Sequence, residues 1–251
     1  MIFPESGTTN EVKRNVVSHY LFTKDCLKHD LREILRWPMR FFLNQIIFPR
    51  RSWYAAALRG TLINLINGRF TVAFVYKDVF VESYRTLNLG KDSIIEEGTH
   101  ILGELTLGEL TVIGPRVWIE GPVSLGHGAS IREGCIAISH TTIEEWVGVS
   151  SNVHFITFDH QIGDVTRRVG RIKFKPIRIK SGAWIGTNTT VMPGVTIGTG
   201  CVIGSRALVT KDIPDNSLAI GAPAKVIRQL GPEVGGGLTE DMKKKYLYEK
   251  W

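Results

Sequence analysis

Residues 89–155 read LGKDSIIEEGTHILGELTLGELTVIGPRVWIEGPVSLGHGASIREGCIAISHTTIEEWVGVSSNVHF, and an apolar, mostly aliphatic residue returns at every sixth position. Leu89, Ile95, Ile101, Leu107, Ile113, Ile119, Leu125, Ile131, Ala137, Ile143, Val149 and Phe155 are twelve consecutive beats. An excursion follows. The beat then resumes in phase at Ile179 and continues through Ile185, Val191, Ile197, Ile203 and Val209.

In an extended chain, residues two apart face the same way and neighbours face opposite ways. Two positions before most beats stands a small or β-branched residue, as at Ser93, Thr99, Thr111, Ala129, Cys135, Ala183, Thr189, Cys201 and Ala207. Each unit therefore offers two residues to one interior face. Glycine often follows the beat, at Gly90, Gly108, Gly114, Gly126, Gly186, Gly198 and Gly204, where a corner leaves little room for a Cβ. A short strand and a corner, repeated every six residues, is the signature of a parallel β-helix. Three units close a triangular coil of eighteen residues, so the in-phase excursion is one coil long.

Residues 184–228, WIGTNTTVMPGVTIGTGCVIGSRALVTKDIPDNSLAIGAPAKVIR, resemble the C-terminal half of the hexapeptide-repeat acyltransferases, above all the maltose and galactoside O-acetyltransferases and their surface-polysaccharide relatives. The resemblance spans roughly Leu89 to Arg228. It implies a left-handed coil, acetyl-CoA as donor and a homotrimer. In the family a histidine that ends a repeat before a protruding loop is the catalytic base, and Thr157 to His160 has that form, with the loop at 161–178. By the same match the N–H of Thr187 serves the thioester oxygen, and Trp184 lies beside the pantetheine channel. Ser205, Thr210 and Lys211 line the pantetheine path, and Lys225 and Arg228 meet the nucleotide end, whose phosphates need cations. Three positions depart from or only loosely match the family. Ser130 stands where relatives carry asparagine, GSRA replaces GAGS so that Arg206 occupies a glycine position, and Glu145 only loosely matches the acidic partner found in serine acetyltransferases.

The expected fold is an all-β core, a left-handed parallel β-helix of about seven coils over residues 71–228. Residues 71–88 are strand-like but off the beat, as a lead-in strand or irregular first coil. Residues 1–70 form a basic helical segment and residues 229–251 a linker and short C-terminal helix. The chain carries a formal net charge of +7, of which the first seventy residues hold eleven Lys or Arg against five Asp or Glu. Leu31, Ile34 and Leu35 share one helical face there, with Arg32, Arg36 and Arg40 on another. Two readings stand for this segment: a cap on the open first coil, or an interfacial segment in peripheral contact with anionic membrane. No recognition motif accompanies the cations, so nucleic acid is not an expected partner. Three cysteines make no disulfide framework, and Cys135 and Cys201 fall on interior positions, as reduced core residues of a cytoplasmic protein. No apolar run approaches the ~18 residues that span a bilayer.

The function these features imply is acetyl-CoA-dependent transfer to a sugar hydroxyl in surface-polysaccharide assembly, with a free, lipid-linked or nucleotide-linked saccharide as acceptor. Acetylation of an amino-sugar nitrogen is the competing reaction. A γ-class carbonic anhydrase also uses this coil but needs three histidines around zinc, and the spacing of His154 and His160 does not reproduce its close pair. No metal is expected. A non-catalytic scaffold would lack both His160 and the CoA-binding tail. The cations Arg167, Arg168, Arg171, Lys173, Lys175 and Arg178 leave the excursion open to two readings, a solvated loop or a flap for an anionic acceptor.

Overall fold

The computed structural model describes residues 53–231. The expected helical face at Leu31–Leu35, with its neighbouring cations, and the expected helix over 238–251 lie outside those residues.

The described chain winds into a parallel β-solenoid whose strands align in three sheets, here called faces 1, 2 and 3 in the order the chain visits them. Face 1 stacks eight parallel rungs, from Phe74–Val75 to Ser217–Ile220, and ends on an antiparallel strand, Lys225–Gln229. Residues eighteen apart pair in register, as Ser130 with Gly148 and Ile136 with His154. Both interior positions of each unit are buried, so the core is one continuous column from Ala73 to Ala219. Several of its polar members donate to nearby corner carbonyls, the Ser93 hydroxyl to Gly90 at 2.8 Å and that of Thr99 to Gly114 at 3.0 Å, whereas the buried Thr157 hydroxyl at the base of the excursion has no partner among the described residues. Cys135 and Cys201 are buried free thiols, and burial pushes the Cys135 thiol up to about 11.

Residues 71–88 supply the first coil, which is the eighth rung of face 1 beyond the seven coils expected. The beat is lost there because two extra residues enter after Phe80–Val81 and are taken up by a single 3-10 turn, Tyr84–Thr86. Rungs on either side show the offset. Phe80 pairs with His100, twenty residues on, whereas Leu87 pairs with Leu105, eighteen on.

An end of a solenoid leaves backbone carbonyls without partners. Helix α1 (Trp53–Ile66) closes this one with side chains. Arg59 Nη1 donates to the Val75 carbonyl at 3.0 Å, and Asn64 Nδ2 to the Thr71 carbonyl at 3.0 Å. Asn67 Nδ2 reaches the carbonyls of Tyr84 at 2.8 Å and Leu87 at 2.9 Å. Contact is close enough that a Cβ on Gly60 would lie 2.1 Å from the Ala73 oxygen, so only glycine fits at that point of the helix. Helix α1 thus covers the first coil, while the amphipathic pieces from which a cap or an interfacial segment is read lie outside the described residues.

The excursion is an antiparallel hairpin with arms Phe158–Ile162 and Val169–Phe174. The Lys175 N–H closes its base on the Thr157 carbonyl at 2.7 Å. It leaves the solenoid between faces 2 and 3, and by Ile177–Ile179 the chain is again in the core of face 3. The hairpin thus begins three residues ahead of the expected 161, and Ile177 and Arg178 belong to the solenoid.

Candidate functional site

His160 does not end a coil, as its sequence context suggests, but sits in the first arm of the hairpin opposite Ile172. The ring is half-buried, and its Nδ1 lies 3.1 Å from the Gly170 carbonyl oxygen. A carbonyl can only accept, so this contact calls for the proton on Nδ1, and in the neutral ring Nε2 then keeps its lone pair. That is the tautomer a general base requires. Gly170 is the partner of His160 that sequence reasoning missed. A Cβ there would lie 2.6 Å from the Gln161 oxygen, so glycine lets the two arms approach closely where its carbonyl meets the imidazole. Hairpin pairing would have been needed to find it.

Pairing also sorts the hairpin's side chains. Cross-strand partners share a side of a two-stranded sheet. Phe158 with Phe174 and His160 with Ile172 therefore make one side, and Asp159 with Lys173 the other. Phe158 stands edge-on to the His160 ring, centroids 6.3 Å apart, and lies 6.3 Å from the Phe174 ring. Ile172 and Phe174 are 51% and 59% exposed, so the wall beside the base is apolar and open. Lys173, and Arg171 by alternation, point to the opposite side. Arg178 is not a hairpin residue at all: its Nε and Nη2 each lie 2.6 Å from Glu144 Oε1 on face 3. The flap for an anionic acceptor, as read from the run of cations, thus loses three of its six members at His160.

The other anticipated residues fall on separate parts of the prism. Thr187 and Ser205 occupy successive corners of the edge between faces 1 and 2, linked by the Arg206 N–H donating to the Thr187 carbonyl at 2.8 Å. Arg206 adopts a φ of +62°, the left-handed conformation in which the family's glycine is unstrained. Among the described residues the Thr187 N–H has no protein acceptor. The same holds at the equivalent corner residues Ser151 and Ser205, so this is a property of the corner and not of Thr187 alone. Trp184 lies on the outside of face 1, 58% exposed, its Nε1 donating to Ser150 Oγ at 3.2 Å. Lys225 and Arg228 are exposed on the terminal strand of the same face. Thr210 and Lys211 lie on the edge between faces 2 and 3, the edge from which the hairpin leaves.

One chain therefore presents His160, Thr210 and Lys211 along one edge, and Thr187, Ser205, Trp184, Lys225 and Arg228 along another edge and face 1. The six residues across face 2 separate the two edges by on the order of 15–20 Å. Glu145 is on the third edge, where its carbonyl accepts from the Gly182 N–H at 2.9 Å, and it makes no contact with His160. Among the described residues no three His, Cys, Asp or Glu side chains gather in a way that could hold a metal ion. His127, His154 and His160 stand respectively on an edge, on face 2 and on the hairpin. No helix among the described residues is long and apolar enough to cross a membrane.

Comparison with known proteins bears on the family of the chain. The family model for the bacterial transferase hexapeptide (six repeats) matches residues 176–211. The chain is 33% identical over 153 residues to the galactoside O-acetyltransferase of Escherichia coli strain K12, covering 57% of this chain and 73% of that one. It is 35% identical over 156 residues to a protein of Schizosaccharomyces pombe that carries an acetyltransferase name, covering 58% of this chain and 74% of that one. Among solved structures, a hexapeptide-repeat acetyltransferase of Vibrio cholerae complexed with acetyl coenzyme A is 26% identical with a TM-score of 0.44, over 48% of this chain and 68% of that one.

Proposed function

We propose that this chain, which belongs to the hexapeptide-repeat acetyltransferases, moves an acetyl group from acetyl-CoA to a sugar hydroxyl during surface-polysaccharide assembly. The observation that carries the reading is the fixed tautomer of His160 on a hairpin whose open side is apolar. A hydroxyl is a weak nucleophile until its proton is removed. In the proposed reaction His160 Nε2 takes that proton as the hydroxyl oxygen attacks the thioester carbonyl. The developing oxyanion is met by the Thr187 N–H. Collapse of the tetrahedral intermediate expels the CoA thiolate, which recovers the proton from the imidazolium. No acetyl-enzyme is formed, because the described cysteines are buried and burial holds their thiols protonated at neutral pH. Phe158, Ile172 and Phe174 suit the C–H face of a pyranose ring better than an anionic group. The galactoside named in the bacterial relative is of this neutral kind.

The division of the site between two edges supports a homotrimer as the working unit. If the hairpin edge of one copy packs against the Trp184 face of the next, base and donor channel meet in a groove that neither prism forms alone. Contact with anionic lipid rests on charges in residues 1–52, outside those described, and forms no part of this reading.

Lys225 and Arg228 are the cations placed for the CoA phosphates. Lys225→Glu is expected to raise KM for acetyl-CoA by about 10-fold or more, since it exchanges attraction for repulsion at a phosphate, while KM for the sugar moves far less. Light scattering on the same preparations is expected to return a trimer. Equal losses for both substrates would overturn the assignment of this strand to the donor, and a fully active monomer would overturn the shared groove.

A further inference from the structure

The donor side of the site holds a detail that neither the repeat nor the family resemblance anticipates. Trp184 stands on an outward rung of face 1 directly opposite Gly148, the one rung in the run Ile94, Val112, Ser130, Gly148, Trp184 and Val202 without a side chain. The indole lies back along the solenoid over the preceding coil. A Cβ built on Gly148 would touch its Cδ1 at 3.8 Å, an ordinary contact. On that coil, two residues past Gly148, Ser150 Oγ accepts from the indole Nε1 at 3.2 Å. An indole N–H is a donor only, so its orientation is defined by this acceptor. A large side chain that is 58% exposed would otherwise sample several rotamers in solvent.

We infer that Ser150 is a positioning residue for the acyl donor: through its hydroxyl it holds the Trp184 indole over the preceding coil, where the indole forms a preformed wall of the pantetheine channel. The inference rests on the proposed role of Trp184 beside that channel. Its physical basis is preorganisation. A wall already in its bound rotamer does not lose that freedom when the cofactor arrives, so the benefit falls on binding and not on the chemical step.

The test is a double-mutant cycle on the full chain, Ser150→Ala with Trp184→Phe, read as KM for acetyl-CoA and kcat. The indole Nε1–H resonance of Trp184 is followed alongside by NMR. Ser150→Ala is expected to raise KM for acetyl-CoA by about 2- to 10-fold, the range set by loss of one hydrogen bond, with kcat little changed. The Nε1–H resonance should shift upfield and exchange faster. In the Trp184→Phe background, which lacks the N–H, Ser150→Ala should add nothing further. Ser150→Thr, which restores the hydroxyl, should restore KM. An equal effect of Ser150→Ala in both backgrounds, or no effect in either while Trp184→Phe alone raises KM, would overturn the positioning role. If Trp184→Phe leaves KM unchanged, the placement of Trp184 at the donor channel fails, whatever the resonance shows.

Discussion

His160→Ala should lower kcat by ~10²- to 10⁴-fold, the range for removing a general base, while acetyl-CoA affinity and the oligomeric state stay as in the wild type. The expectation follows from the hairpin geometry. With Nδ1 committed to the Gly170 carbonyl, Nε2 is the ring's free acceptor, and the neighbours paired on its side of the hairpin, Phe158, Ile172 and Phe174, carry no proton acceptor. Binding of the donor depends on residues of face 1 and the edge beside it, so KM for acetyl-CoA should scarcely move. His160→Gln provides a second reading, because it keeps a polar side chain of similar reach without a basic nitrogen, and it should be impaired to a comparable degree. Near-normal turnover in either variant would remove His160 from the chemistry, as would activity lost only together with assembly.

The largest loss of stability is expected from Phe155→Ala. Phe155 is the largest fully buried side chain among the described residues. It stacks in register between Ala137 on one side and Val191 on the other. The face 2 column places its bulkiest member beside its smallest, so that Phe155 fills what Ala137 leaves empty. Truncation should therefore open a cavity that neighbouring rungs cannot close, costing ~3–5 kcal/mol in urea unfolding of the whole solenoid. Phe174→Ala, 59% exposed on the hairpin, is the control and should cost less than ~1 kcal/mol. If the two variants lost equal stability, the hairpin would be part of the core and not an appendage to it.

The coil was legible because its cause is local. Each six-residue unit must bury two side chains and turn a corner, and both demands are written in consecutive residues such as Ala129 to Gly134. Where the chain adds two residues, between Val81 and Leu87, the beat disappears although the coil does not, since a 3-10 turn absorbs the extra length. The interior thiols and hydroxyls were readable for the same reason. The site was less so. His160 was visible as the residue at the break in the repeat, but its carbonyl partner Gly170 and the sorting of Arg171 and Lys173 away from it depend on pairing between two arms. That pairing carries a bulge between His160 and Ile162, which no periodicity announces. The tether from Trp184 to Ser150 crosses thirty-four residues and joins neighbouring coils only because the excursion is a whole coil long.

The central claim, transfer of acetyl from acetyl-CoA to a sugar hydroxyl, is tested most directly by acceptor-dependent release of CoA thiol. Purified full-length protein would be given acetyl-CoA with a panel of pyranosides, amino sugars among them, and the product examined by mass spectrometry before and after mild base. Thiol release that requires a sugar, yields a singly acetylated product whose acetyl group is removed by base as an ester is, and falls ~10²-fold or more in His160→Ala is the predicted result. A base-stable amide on an amino sugar, or no sugar-dependent release from protein that binds acetyl-CoA, would contradict it.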